Sequence, residues 1–155
     1  MNTKKILFVC HGNICRSPMA EFVFYDMVKK AGLLKQVHIA SAATSREEIG
    51  NPVHYGTVAK LSPLGISTEG KYAVQMTKQD YDEYDLLLAM DQYNVRNMLR
   101  IVGDDPEHKI MRLLDLTDNP RDIADPWYTG NFDETYRDIV EGCKALLKKL
   151  SYEIN

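Results

Sequence analysis

The stretch Ile6-Leu7-Phe8-Val9-Cys10-His11-Gly12-Asn13-Ile14-Cys15-Arg16-Ser17-Pro18 decides how this chain is read. Residues 5–9 carry the pattern of a strand buried on both faces, with an apolar run at Ile6–Val9. A short polar loop follows, framed by Cys10 and Arg16. Ser17 then reads as an N-cap and Pro18 as a first-turn proline. Strand, loop and helix start in this order make an anion site, because unpaired backbone N–H groups and the positive helix end converge on the ligand. A thiol in the same loop makes it a candidate nucleophilic phosphate site.

Outward from this stretch, Met19 to Ala31 lacks helix breakers and Gly32 stops it. Val37–Ala40 reads as a second strand, Ser41–Asn51 as a polar loop and Pro52–Leu61 as a helix that ends before Ser62-Pro63 and Gly65. Thr77–Tyr81 starts a short helix. Leu86–Met90 is another buried strand, and Asp91 caps a helix to Leu99. Ile110-Met111 is a short last strand, and Leu116–Gly130 reads as an exposed loop. The final helix carries Phe132, Tyr136, Ile139, Val140, Cys143, Leu146, Leu147 and Leu150 at helical spacing, one continuous apolar stripe. Short buried strands alternating with helices predict an α/β three-layer sandwich, with a parallel sheet of about four strands covered on both faces. Ligands in such folds bind at the carboxyl ends of the strands, where the loop after Val9 falls.

A chain of 155 residues reads as a single domain over 1–155. Its net charge of −3 argues against a nucleic-acid partner. No apolar run approaches the roughly 20 residues that span a bilayer, and the stretch behind Lys4-Lys5 is too short for a signal peptide, so no membrane partner is expected. Three cysteines, an odd count, point to a reducing compartment, read as the cytoplasm.

Phosphoryl transfer to a thiolate needs an ionisable thiol, a cradle for the phosphate oxygens, charge stabilisation and a proton for the leaving oxygen. Helix N-termini and nearby cations lower a cysteine pKa, and Cys10 would feel both. The amides of His11, Gly12, Asn13, Ile14, Cys15, Arg16 and Ser17 form the cradle. Arg16 can grip two oxygens through its planar fork. A cation at a helix start is disfavoured, so Arg16 there points to a bound anion. Ser17 caps the helix, donates to the thiolate, or both. For the acid, Asp115, Asp118, Asp122 and Asp125 compete, and spacing alone does not choose among them. No cofactor or metal is required; His11, His38, His54 and His108 are scattered.

Residues 9–21, Val-Cys-His-Gly-Asn-Ile-Cys-Arg-Ser-Pro-Met-Ala-Glu, resemble the signature of the low-molecular-weight protein tyrosine phosphatases. The likeness continues at Ser41–Ser45, at Asp85–Asp91 with Asn94, and at Asp125-Pro126-Trp127-Tyr128, so it covers essentially the whole chain. The resemblance implies the phosphatase type I, flavodoxin-like fold and metal-independent hydrolysis of phosphotyrosine in proteins. Phosphate, sulfate or vanadate would sit in the loop. It implies Cys10 as nucleophile and site of a phosphocysteine intermediate, Arg16 as the phosphate-binding arginine and Asp125 as general acid. Ser17 would support the thiolate, Asn13 and Ser41 would hold the loop's shape, and Trp127 and Tyr128 would wall the substrate ring.

Two positions depart from the family pattern. Glu47, within Arg46-Glu47-Glu48, stands where relatives often carry an aromatic wall residue. Gly70-Lys71-Tyr72-Ala73-Val74 replaces a His-x-Ala-Arg string whose histidine holds the asparagine and serine network. Protein arginine phosphatases share the loop but typically have threonine at the place of Ile14; an apolar contact there suits an aryl ester. Thiol-dependent arsenate reductases use two mid-chain cysteines, and none lies between Cys15 and Cys143. A non-catalytic phosphate- or phosphopeptide-binding module is the remaining alternative. Cys15 reads either as structural or as a reversible disulfide partner of Cys10, and Cys143 as core.

Overall fold

Ile6, Leu7, Phe8 and Val9 are at most 2% exposed, and their strand lies inside the sheet. In the computed structural model, which describes residues 3–154, this strand is β1 (Lys4–Cys10). It is followed by α1 (Arg16–Lys30), β2 (Val37–Ala43), α2 (Tyr55–Leu61), α3 (Lys78–Glu83) and β3 (Leu86–Ala89). Then come α4 (Gln92–Val102), β4 (Ile110–Arg112), α5 (Pro126–Thr129) and α6 (Phe132–Ile154). The strands pair in parallel in the order β2-β1-β3-β4.

Alternation along β1 builds the three layers. Ile6, Phe8 and Cys10 pack into one core with Met19, Val23 and Phe24 of α1 and Ile139, Cys143, Leu146 and Leu150 of α6. Leu7 and Val9 point the other way, to Tyr81 of α3, Met98 of α4 and Tyr84. The helices that follow β1 and β3 therefore cover opposite faces. Between the carboxyl ends of these adjacent strands lies the crevice of a doubly wound sheet.

The expected α/β sandwich and its four parallel strands are present, with several boundaries moved. Helix α1 starts at Arg16, with Cys15 at its N-cap position and no side-chain cap bond, so Ser17 is not the cap. The Ser17 hydroxyl is instead occupied by Asn13 and Cys10. Strand β2 runs on to Ala43, which takes Ser41 out of the expected polar loop and buries it. Helix α2 begins at Tyr55 rather than Pro52, because the preceding residues are tied into extended pairing. Gly50 N–H donates to the Ala73 carbonyl, Ala73 N–H to the Asn51 carbonyl, and Pro52 bridges Tyr72. The 116–130 segment is not wholly exposed. Ile123 is 1% exposed, its N–H donates to the Met90 carbonyl at 2.9 Å, and residues 126–129 form α5. Helix α4 reaches Val102, and α6 extends beyond Leu150 to Ile154.

Candidate active site

Cys10 ends β1 and the chain then turns sharply through residues 11–15. The turn needs Asn13 in the left-handed region, at φ 59°, a conformation asparagine tolerates better than most residues. The loop's carbonyls are tied to the surrounding chain. Thr44 N–H donates to the Cys10 carbonyl at 2.9 Å, Ser45 N–H to His11 at 3.1 Å and His54 N–H to Ile14 at 2.8 Å. Among the described residues, the N–H groups of His11, Gly12, Ile14 and Cys15 have no acceptor. A loop with its carbonyls engaged and its donors free, running into a helix N-terminus, is an anion cradle.

Behind the loop lies a buried polar network. The Cys10 sulfur is 3.0 Å from Ser17 Oγ and 3.4 Å from the donating Asn13 N–H. Asn13 Nδ2 donates to Ser17 Oγ at 2.8 Å and to Ser41 Oγ at 2.9 Å, while its Oδ1 accepts from Val74 N–H at 3.1 Å. Ser41 Oγ donates to Glu21. Lys71 Nζ donates to the Ser41 carbonyl at 2.8 Å and lies 3.7 Å from Glu21. Asn13 and Ser17 are thus buried supports and do not line the pocket in front of the thiol. Burial raises the Glu21 pKa, against the pull of Ser41 and Lys71; burial lowers that of Lys71, against the pull of Glu21.

Arg16 is 3% exposed. One terminal nitrogen donates to Asp91 Oδ2 at 2.7 Å and to the Ile123 carbonyl at 2.8 Å; the other donates to Asp125 Oδ2 at 3.4 Å. Burial works against its charge, but Cys10, Asp91 and Asp125 outweigh burial and hold the guanidinium pKa above its ordinary value. Burial, reinforced by Cys10 and Asp125, pushes the Cys15 thiol up to about 12, so Cys15 stays protonated at neutral pH. Burial alone also raises Cys143, which packs under α1.

The pocket over Cys10 encloses about 240 Å³ and is lined by His11, Gly12, Ile14, Cys15, Arg16, Glu47, Glu48, Asp125, Trp127 and Tyr128. Asp125 caps α5, its Oδ1 accepting from Trp127 N–H at 3.0 Å while Oδ2 meets Arg16. Of the competing aspartates, only Asp125 lines this pocket; Asp115 and Asp122 pair with Arg112 instead. Trp127 and Tyr128 stand largely exposed at its mouth, and Glu47 reaches across to His11. Among the described residues no cluster of His, Cys, Asp or Glu is arranged to hold a metal ion. No helix there is long and apolar enough to cross a membrane.

Sequence reasoning missed three members of the network behind the loop: Lys71, Glu21 and the Val74 N–H. It also missed the Arg16 partners Asp91 and Ile123. Glu21 closes the quoted signature, a visible signal; the carbonyl of Ile123 carries no signal in a sequence.

A parallel sheet that carries a cysteine-bearing anion loop at its switch point is the architecture of the flavodoxin-like phosphatases. The family model for the low molecular weight phosphotyrosine protein phosphatases matches residues 5–155. The chain is 43% identical over 150 residues to the low molecular weight protein-tyrosine-phosphatase YfkJ of Bacillus subtilis, covering 96% of each. It is 38% identical over 152 residues to the human low molecular weight phosphotyrosine protein phosphatase, covering 95% of this chain and 96% of that one. The crystal structure of YfkJ superposes with a TM-score of 0.96 over 100% of this chain and 99% of that one, at 41% identity. Vibrio vulnificus Wzb, solved in complex with benzylphosphonate, superposes with a TM-score of 0.83 over 96% and 99%, at 28% identity. This chain belongs to the low molecular weight phosphotyrosine protein phosphatase family and is thereby a hydrolase of the protein-tyrosine-phosphatase type.

Proposed function

We propose that this protein dephosphorylates phosphotyrosine in proteins in two steps on Cys10. The Cys10 thiolate attacks phosphorus, the bond from phosphorus to the phenol oxygen breaks, and Asp125 gives its proton to the leaving oxygen. The product is a phosphocysteine. Water then attacks the same phosphorus, Asp125 takes the water's proton, and the sulfur–phosphorus bond breaks to release phosphate and the thiolate. The free N–H groups of the loop and the Arg16 fork stabilise the charge on the three equatorial oxygens. Asn13, Ser17 and Ser41 keep the loop shaped for it.

One observation carries this reading: the thiol lies within a cradle of unpaired N–H groups, and the buried Arg16 holds Asp125 on the rim of the same pocket. A purely phosphate-binding module needs neither the thiol nor the acid. Trp127, Tyr128 and Ile14 supply the flat, apolar walls that suit an aryl ring. Benzylphosphonate, an aromatic ring joined to a phosphonate through one CH2, is the ligand of Wzb, a structural relative, and is consistent with such a substrate. Ile14 offers no hydroxyl, which favours phosphotyrosine over phosphoarginine. The three unpaired cysteines suit a reducing compartment, here the cytoplasm.

Hydrolysis of p-nitrophenyl phosphate in the presence of a chelator, with and without vanadate, is the direct test. Activity should persist with the chelator and stop with vanadate. Cys10→Ser should lower kcat by about 10³-fold or more. Asp125→Asn should lower it by about 10²-fold or more on phosphotyrosine peptides, and by less on p-nitrophenyl phosphate, whose leaving group needs little protonation. Full activity of Cys10→Ser would sink the mechanism. Tight phosphate binding without turnover would assign a binding module, and faster turnover of phosphoarginine would reassign the substrate.

A further inference from the structure

A second groove opens beside the phosphate pocket and shares Ile14, Glu48 and Trp127 with it. One wall is aromatic. His54 and Tyr55 stack with ring centroids 4.3 Å apart, and Trp127 meets His54 edge-on at 5.6 Å. These rings are not sealed from solvent: Tyr55 is 79% and Trp127 58% exposed, and Val58 beside them is 39% exposed. Together these side chains offer an exposed aromatic and aliphatic face to a ligand.

The lip of this groove carries one carboxylate, and its charge is not matched. Glu48 Oε2 accepts from the Asn51 amide at 2.6 Å, a neutral partner. Among the described residues no lysine, arginine or histidine pairs with Glu48, whereas neighbouring Glu47 is engaged by His11. No lysine or arginine lines the groove, and Lys60, on the same helix, is held by Asp133 at 2.8 Å. Aromatic faces next to one uncompensated carboxylate suit a cation on a long apolar stem, which can lay the stem and its charge on the rings and reach the carboxylate. Because Ile14, Glu48 and Trp127 line both the pocket over Cys10 and this groove, the groove is open to residues that flank a phosphotyrosine seated over Cys10.

We propose that this groove is a subsite for a lysine or arginine side chain next to the phosphotyrosine of the substrate protein. It rests on the reading that the pocket over Cys10 takes phosphotyrosine, and adds to it the preference for basic flanking sequence. Glu48 is a specificity-determining residue, and Tyr55 and Trp127 are the surface on which the cation lies.

The test compares kcat/KM for phosphotyrosine peptides that differ at the flanking positions: arginine, its uncharged isostere citrulline, leucine or glutamate. The readout is the ratio between peptides on one enzyme, so changes in basal rate cancel. The arginine peptide should exceed the citrulline peptide roughly fivefold, the size of one exposed ion pair with a cation–ring contact. Glu48→Gln should bring that ratio close to one, and Glu48→Lys should invert the order of the arginine and glutamate peptides. Equal rates on arginine and citrulline, a fastest rate on leucine, or an undiminished ratio in Glu48→Gln overturns the subsite. A dimer at assay concentrations that Tyr55→Asp dissociates also overturns it, by assigning the groove to a second copy of the chain. Turnover of free phosphotyrosine, measured alongside, separates the two levels. Loss of all turnover refutes the function itself, whereas normal turnover without charge preference refutes only the subsite.

Discussion

Asn13 Nδ2 donates to Ser41 Oγ at 2.9 Å, joining the loop after β1 to the neighbouring strand β2. The same amide group holds Ser17 Oγ at 2.8 Å, which in turn lies 3.0 Å from the Cys10 sulfur. A residue in a left-handed conformation therefore sets both the turn of the loop and the position of the hydroxyl behind the thiol.

Asn13→Ala should be costly on both counts. It places a residue with a Cβ but no compensating amide at φ 59°, and leaves the buried Ser17 and Ser41 hydroxyls short of a partner. The expected loss of unfolding free energy is about 2–4 kcal/mol, combining the conformational strain with the unpaired polar groups. Asn13→Gly relieves the strain alone and should fall between wild type and Asn13→Ala in urea denaturation. Equal stability of the two variants would show that the hydrogen bonds carry the whole effect.

Lys71 reaches the same network from the far side, through the Ser41 carbonyl and Glu21. Lys71→Met keeps the stem and removes the charge, which leaves Glu21 buried beside Ser41 without its cation. Destabilisation of about 1–3 kcal/mol is expected, moderated because both side chains retain some exposure. The pH dependence has a definite sign. The Glu21 carboxyl is already raised by burial, and loss of Lys71 raises it further. A carboxyl with a raised pKa binds its proton more tightly when folded, so folding weakens as pH rises through that pKa. Chemical denaturation at about pH 5 and about pH 8 should show the larger deficit at the higher pH.

Asp105 makes the opposite case, away from the site. It accepts from Tyr81 Oη at 2.7 Å and from the Lys109 and Ile110 N–H groups at 2.8 and 3.1 Å, locking the turn before β4. Burial opposes its charge, but these donors prevail and hold the carboxyl below its ordinary value. Its contribution is therefore present above the usual carboxylate range and lost as pH falls through the depressed pKa. Asp105→Asn should be less stable than wild type at neutral pH, and the gap should close on acidification below about pH 4. A gap that does not change with pH would show that the shape of the side chain matters and its charge does not.

Gly142 sits inside α6, where alanine would ordinarily add up to about 1 kcal/mol of helix propensity. Here a Cβ would lie 2.4 Å from Leu113 Cγ, the branch point of a fully buried side chain. Overpacking of that kind costs about 1–3 kcal/mol, so Gly142→Ala should lower Tm despite the better propensity. An unchanged or higher Tm would show that Leu113 has room to move.

Much of this was legible in the residues themselves. The run Ile6–Val9 predicted a strand buried on both faces, and β1 is one; the stripe from Phe132 to Leu150 predicted α6. These patterns are visible because burial repeats with the period of the element. Ser17 misled, because serine before proline looks like a cap wherever it occurs, and its hydroxyl here bonds across the loop instead. Pro52 misled in the same way. A proline suits the first turn of a helix, yet Gly50 and Asn51 just before it pair with Ala73 and Pro52 itself bridges Tyr72, residues whose proximity no local pattern records.

By itself, the sequence determined the order of the four strands and of every helix but α5, the short polar loop with its thiol, and the chemical types set against it: an arginine at the helix start and an aspartate before Pro126-Trp127. The tertiary structure alone decided which of these groups meet. It brought Arg16 to Asp91 and Asp125, separated in the chain by 75 and 109 residues, and Lys71 to the Ser41 carbonyl behind the loop. The reason is one of range. Propensity, capping and periodicity act within an element. The partner of a buried charge or amide is chosen by which strand ends lie side by side, here the order β2-β1-β3-β4.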